Sequence, residues 1–149
     1  MSINIKKVSL NEVKEVTKVF NAYRVFYGQE SDLELAENFL KQRVENNESV
    51  IFCIFDEDNR AVAFTQLYPS FSSVSAKRSW ILNDLFVDEN HRKRGYAKAL
   101  MQKAKEMVQE DDSKGIFLQT AKSNVNAQAL YESLEYERDE EYYSYYLSL

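Results

Sequence analysis

The stretch Trp80-Ile81-Leu82-Asn83-Asp84-Leu85-Phe86-Val87-Asp88-Glu89-Asn90-His91-Arg92-Lys93-Arg94-Gly95-Tyr96-Ala97-Lys98-Ala99-Leu100 decides how the chain is read. From Trp80 to Val87 it is apolar or aromatic except at Asn83 and Asp84, the pattern of a mostly buried strand with two polar groups set into it. Asp88-Glu89-Asn90 makes a turn. His91 and the fixed cations Arg92, Lys93 and Arg94 then precede Gly95. From Ala97 onward Leu100, Met101, Ala104, Met107 and Val108 recur at helical spacing. The order is therefore strand, basic turn, helix. A helix start offers unpaired backbone N–H groups and the positive end of the macrodipole. Gly95, with no Cβ, lets a ligand come close to the backbone. Cations at a helix start are unfavourable unless an anion offsets them, so the turn is expected to hold a multiply charged anion, most naturally a pyrophosphate.

The turn reads Arg92-x-x-Gly95-x-Ala97 and resembles the acetyl-CoA signature of the GNAT superfamily of N-acetyltransferases, R/Q-x-x-G-x-G/A. The strand before it and the helix after it give the short pattern its weight. It has neither the P-loop spacing nor the three glycines of a dinucleotide fingerprint. A second match follows: Asn124-x-x-Ala127-x-Ala129-Leu130-Tyr131-Glu132 is similar to the family's N-x-x-A-x-x-L-Y-E, which opens the helix after the fifth strand. The family continues into Gly-Phe, whereas this chain has Glu135-Tyr136, so the turn after that helix departs from the pattern.

A length of 149 residues suits one domain, residues 1–149, and 44% hydrophobic composition is enough for a sizeable core. The net charge of −5 argues against non-specific nucleic-acid binding, so the cluster at Arg92–Arg94 is local and suited to a small anion. The acidic excess suits a cationic substrate, and solubility explains it equally well. Cys53 is the one cysteine and lies within Val50-Ile51-Phe52-Cys53-Ile54-Phe55, which reads as a buried structural thiol. The start MSINIKKVSL lacks a signal-peptide apolar region, and no apolar run approaches the ~20 residues of a membrane span. A cytoplasmic location and no membrane partner are expected. His91 is the one histidine, so no His/Cys metal site is expected.

In chain order, Ile3 to Val8 reads as a first strand. A helix capped by Ser9 or Asn11 turns Val13, Val16, Phe20 and Tyr23 inward and ends near Gly28. Ser31 or Asp32 caps a second helix, with Leu33, Ala36, Phe39, Leu40 and Val44 on one face. Glu48–Phe55 and Ala61–Tyr68 read as a hairpin stopped by Pro69, with Ser70 to Lys77 a polar linker. After the central strand and helix, Ile116–Ala121 reads as a buried strand. A helix capped by Ser123, Asn124 or Asn126 runs through Leu134. Tyr136–Arg138 and Tyr142–Leu149 read as late strands. The expected class is α/β (α+β). The resemblance, now covering essentially the whole chain, implies a GNAT-like fold with a single mixed, mostly antiparallel sheet of about six to seven strands and about four helices.

The resemblance also implies roles. Arg92, Lys93, Arg94, Gly95, Tyr96, Ala97 and Lys98 would hold the pyrophosphate of acetyl-CoA. Backbone groups of Leu85, Phe86 and Val87 would pair with its pantetheine arm, and an N–H of this strand would face the thioester oxygen. Asn124 would contact the pantetheine or its mercaptoethylamine end; the plainer reading is a helix cap, and the two can coexist. Tyr131 stands where the family keeps the general acid that protonates the leaving thiolate of CoA. The alternative for Tyr131 is a core tyrosine. An alkylamine has a pKa of ~10, so the acceptor arrives as an ammonium and must lose a proton. Asn83-Asp84 sits where the spermidine/spermine and diamine branch of the family reads Glu-Asp. Asn cannot take a proton, which leaves Asp84 as the base or, on the plainer reading, a structural acceptor for a neighbouring loop. Glu30 and Asp32, after the first helix, could add negative charge at the mouth.

The expected activity is direct transfer of an acetyl group from acetyl-CoA to a primary amine, a small cationic one, in a ternary complex. A peptide or protein N-acetyltransferase and a non-catalytic acyl-CoA-binding module are the alternatives. A homodimer is expected from the apolar, Tyr-rich end and from the family's frequent dimers.

Overall fold

A computed structural model describes residues 2–149 and divides into two compact units, one ending at Leu118 and one of Gln119–Leu149. The first unit holds β1 (Asn4–Lys7), a 3-10 turn (Leu10–Glu12), α1 (Val13–Phe26), α2 (Leu33–Glu45), β2 (Val50–Phe55), β3 (Ala61–Ser72), β4 (Lys77–Val87), a second 3-10 turn (Glu89–His91), α3 (Tyr96–Glu110) and β5 (Ile116–Phe117). Its sheet runs β1-β2-β3-β4-β5, antiparallel throughout except for the parallel β4–β5 pair. The sheet is mixed and mostly antiparallel, with five strands among the described residues rather than six to seven.

The elements follow from local chemistry. Glu12 reaches back to accept from the Ser9 backbone N–H at 2.9 Å, fixing the entry into α1. The Asp32 carboxylate accepts from the Leu35 N–H at 3.0 Å and starts α2. Asn21, buried in α1, holds the connection between the two helices: its amide donates to Ser31 Oγ and its oxygen accepts from the Asp32 N–H, both at 3.0 Å. Along β2, Ile51, Cys53 and Phe55 join the core formed with α1 and α2, so the alternate residues Phe52 and Ile54 belong to the other face. Helix α3 contacts β2, β3 and β4 and buries Leu100, Met101, Ala104 and Val108. Burial on both faces is why β2 reads as an unbroken apolar run. Phe20 stacks on Phe39 and meets Phe64 edge-on, with centroids 5.7 and 5.8 Å away, and the burial of Phe64 alone is worth about 2–3 kcal/mol.

Three expectations change. Pro69 does not end β3: it pairs with Trp80, and the β3–β4 hairpin extends to Ser72 and Lys77. The pairing of β2 with β3 ends at Leu67, so beyond it one edge of β3 carries no ladder and a residue without an N–H is tolerated there. Ser70, Phe71, Ser72 and Lys77 are therefore strand and residues 73–76 the turn between them, with Arg78 set over the exposed Phe71 ring. Leu33 is exposed rather than on the inner face of α2. The strand expected at 116–121 is two residues long and half-exposed at Phe117.

The second unit contains α4 (Val125–Ser133) and no strand among its residues. The expected strands at Tyr136–Arg138 and Tyr142–Leu149 are absent. Asp139 instead accepts from the N–H groups of Glu141 and Tyr142, closing a local bend. Tyr143, Tyr145 and Tyr146 are 90–93% exposed, so the apolar pattern there has no partner within the described chain to make it a strand.

Candidate active site

Asp84 stands at an irregularity. Gln66 pairs with Asp84 but Leu67 pairs with Leu82, so Asn83 is one extra residue on β4, a bulge that re-aims side chains. Asn83 is exposed, while Asp84 is only 4% exposed. A buried carboxylate must be satisfied, and this one is. Its Oδ1 accepts from the Tyr23 hydroxyl at 2.9 Å and from the Asn83 amide at 2.8 Å. Its Oδ2 accepts from the Gln66 amide at 2.6 Å, and Gln66 in turn accepts from Ser49 Oγ at 2.8 Å. Thr65 Oγ1 donates to the Asp84 backbone oxygen at 2.8 Å.

Burial pushes the Asp84 carboxyl above its ordinary range, against the downward pull of its Gln66, Asn83 and Tyr23 donors. Burial, and then the charge of Asp84, pushes Tyr68 up to about 12 and drives Tyr23 upward as well. Both phenols therefore stay neutral around an acid whose proton affinity is increased. The partners on Oδ1, exposed Asn83 and half-buried Tyr23, are the less buried side of the carboxylate's surroundings.

From Asp84, β4 leads through Leu85, Phe86 and Val87 to the basic turn, and three residues of strand cover about 10 Å. β5 pairs with β4 only at Trp80 and Ile81. Among the described residues no strand runs beside Leu82–Val87 on that side, which leaves an edge suited to an extended, amide-bearing chain.

The turn is built by its own side chains. The Asp88 carboxylate accepts from the Asn90 N–H at 3.3 Å and lies 2.8 Å from His91 Nδ1. The lone histidine is thus a turn anchor. Arg92 Nε donates to the Val87 carbonyl at 3.1 Å, and its guanidinium lies over the rings of Phe26 and Phe86. Lys93 (φ 63°) and Gly95 (φ 78°) are both left-handed. A Cβ on Gly95 would meet nothing within 4 Å, so the glycine is required for its backbone angle and not for want of room. Gly95 is the N-cap of α3, and the first bond within the helix runs from the Ala99 N–H to the Gly95 carbonyl at 3.0 Å. The N–H groups of Tyr96, Ala97 and Lys98 thus precede the helical ladder. No acid lies in the first turn of α3 and Arg92, Lys93 and Arg94 are exposed, the donor set an anion needs.

In the second unit Asn124 caps α4, its Oδ1 accepting from the Ala127 N–H at 3.2 Å. Tyr131 follows seven residues later, two turns along the same helical face. The helix ends with Glu135 left-handed at φ 70°, the Tyr136 N–H bonded to the Tyr131 carbonyl and the Glu135 N–H to the Glu132 carbonyl. The Tyr131 and Tyr136 rings lie 6.1 Å apart, so this is a complete Schellman closure with glutamate where glycine is usual. Of the acids expected at a mouth, Asp32 is occupied as the α2 cap and Glu30 is an exposed loop residue.

Sequence reasoning placed Tyr23 among core residues and passed over Gln66 and Tyr68. Gln66 carried the signal used for Asp84, a polar group inside an apolar strand. Tyr23 had none, because only the fold brings residues 61 positions apart together.

The acetyltransferase (GNAT) family matches residues 14–136. The chain is similar to the "uncharacterized N-acetyltransferase YhfO" of Bacillus subtilis (strain 168), 44% identical over 147 residues that span 99% of this chain and 98% of that protein. Among solved structures it is similar to a probable acetyltransferase, at 39% identity and TM-score 0.92, covering 98% of this chain and 97% of the other. An aminoglycoside acetyltransferase from an uncultured soil metagenomic sample shares the fold at 22% identity and TM-score 0.80, with 99% and 96% of the two chains covered.

Proposed function

The chain belongs to the acetyltransferase (GNAT) family, and on that premise we propose that it moves an acetyl group from acetyl-CoA directly to a primary amine in a ternary complex. The observation that carries this reading is Asp84: an ionisable, strongly buried carboxylate on the same strand that leads into the basic turn. Bound acetyl-CoA supplies a thioester, the electrophile for the amine. The residues present fit it. Lys93, Arg94 and the N–H groups of Tyr96, Ala97 and Lys98 would receive its pyrophosphate, with Arg92 bracing the turn against Val87. Leu85, Phe86 and Val87 would present backbone groups to its amide-bearing arm along the unpaired β4 edge.

The amine reaches the site as an ammonium and is not nucleophilic until deprotonated. Asp84 takes that proton, relayed by water or the Tyr23 hydroxyl on the Oδ1 side, where the Asn83 amide holds the carboxylate in place. Its upward-shifted affinity makes it a better base than an exposed aspartate. The C–N bond would form and the C–S bond break, Tyr131 giving its proton to the departing thiolate and being restored, through water, by the second proton that the new amide nitrogen loses. Asn124 steadies the arm of the donor. The likeness of Asn124–Glu132 to the family's motif supports these last two assignments.

The acceptor would be a small cationic amine, and residues 1–149 one acetyltransferase domain, since the family match crosses Leu118. A cytoplasmic location fits the buried free thiol of Cys53. No helix among the described residues is long and apolar enough to cross a membrane. Thiol release from acetyl-CoA, measured with a panel of amines and peptides, tests the function. Turnover with small amines supports it. Turnover with peptides alone would favour a protein N-acetyltransferase, and binding of acetyl-CoA without turnover a non-catalytic module.

A further inference from the structure

The surroundings of Asp84 say more about the acceptor than its charge does. Tyr23, bonded to Asp84, meets Tyr27 edge-on with centroids 5.1 Å apart and Phe86 at 5.8 Å. Tyr27 in turn meets Phe26 at 5.3 Å. The innermost of these rings are partly or fully buried, but Phe26 and Tyr27 are 61% and 64% exposed. A continuous aromatic surface thus runs from the buried carboxylate to solvent along the last turn of α1. Adjoining exposed rings of this kind mark a place where an apolar group is covered.

The charges nearby oppose a polycation. Arg92 lies over Phe26 and Phe86 at the outer end, and Arg24 occupies the last turn of α1. Arg43 acts electrostatically on Tyr68, the phenol that also feels Asp84. Arg43 is paired with Glu48 at 3.2 Å, so Arg92 and Arg24 stand against one buried carboxylate. Of the two acids available after α1, Asp32 is occupied as a helix cap. One carboxylate with several ring faces suits one ammonium: the carboxylate supplies the charge and the rings supply apolar and cation–π contact. A second ammonium lying along these rings would meet the Arg92 guanidinium.

We propose that the acceptor is a monoamine carrying an aromatic or branched apolar body, its ammonium directed to the Oδ1 side of Asp84 and its body lying on the Phe26–Tyr27 surface. This rests on the reading of Asp84 as the site of amine deprotonation, and it selects a substrate class within that reading.

The test compares kcat/KM, by thiol release at fixed acetyl-CoA, for 2-phenylethylamine, isopentylamine, spermidine and a peptide with a free N-terminus. The two monoamines are expected to exceed spermidine and the peptide by at least about tenfold, the scale of one or two aromatic contacts. Tyr27→Ala, at an exposed position, is expected to lower kcat/KM for 2-phenylethylamine about tenfold with the KM for acetyl-CoA unchanged. Preference for spermidine or the peptide, or a Tyr27→Ala enzyme with wild-type kcat/KM for 2-phenylethylamine, overturns the substrate class and leaves the acetyltransfer reading standing. No turnover of any amine, by protein shown calorimetrically to bind acetyl-CoA, overturns both.

Discussion

At Asp84 the cost of burial and the proposed role of base meet in one side chain. Its carboxyl is shifted upward by burial, so the folded protein holds its proton more tightly than the unfolded chain does. In the window between the ordinary carboxylate pKa of 3.8 and the raised folded value, stability therefore falls as pH rises. Asp84→Asn removes the ionisation while keeping the shape. Thermal melts from pH 4 to 7 are expected to show the variant gaining on wild type as pH increases; a constant difference would deny the shift. A buried carboxylate whose charge costs stability is a candidate functional residue. The matching prediction for the proposed acid is Tyr131→Phe, which removes one hydroxyl. It should leave acetyl-CoA affinity unchanged and lower kcat by roughly 10²-fold or more, the usual scale for loss of a general acid. Wild-type turnover would remove the assignment.

Two turns decide the elements. The first is the left-handed pair Lys93 and Gly95 before α3. Gly95→Val puts a β-branched side chain at φ 78°, so a weakened cofactor site is expected from backbone strain, seen as acetyl-CoA affinity at least about tenfold lower by titration with the circular dichroism unchanged. The second is the end of α4, where Glu135 carries the same strain without evident need. Glu135→Gly should raise stability by about 0.5–1 kcal/mol, read as an increased denaturation midpoint at constant slope. The strand–turn–helix around Gly95 was legible because two periodicities meet there; local chemistry left the α4 cap open among Ser123, Asn124 and Asn126, and the likeness to the family's motif singled out Asn124. The extension of β3 through Pro69 was not legible: a proline rule that holds between two neighbouring strands fails on an unpaired edge. Nor was the missing strand at Tyr142–Leu149, whose apolar residues satisfy a pattern but not the need for a partner. Asp84 was legible as a polar residue out of place; its partners on α1 and β3 required the fold.

On the scale of the molecule, the Tyr-rich end is the feature that a single chain explains least. It has no charged residue from Tyr142 to Leu149 and is almost fully exposed. We propose that it lies in a homodimer interface. Sedimentation at tens of micromolar, a range matched to modest affinity, is expected to give a dimer, and deletion of residues 142–149 a monomer. A monomeric full-length chain would refute it. If Asp84 deprotonates the amine for acetyl transfer, kcat/KM measured against pH for wild type and Asp84→Asn will show it. The variant should be most impaired near neutral pH, where the amine is nearly all ammonium, and recover part of the deficit as free amine accumulates toward its pKa of ~10. Profiles that run parallel across the whole range would rule out Asp84 as the base.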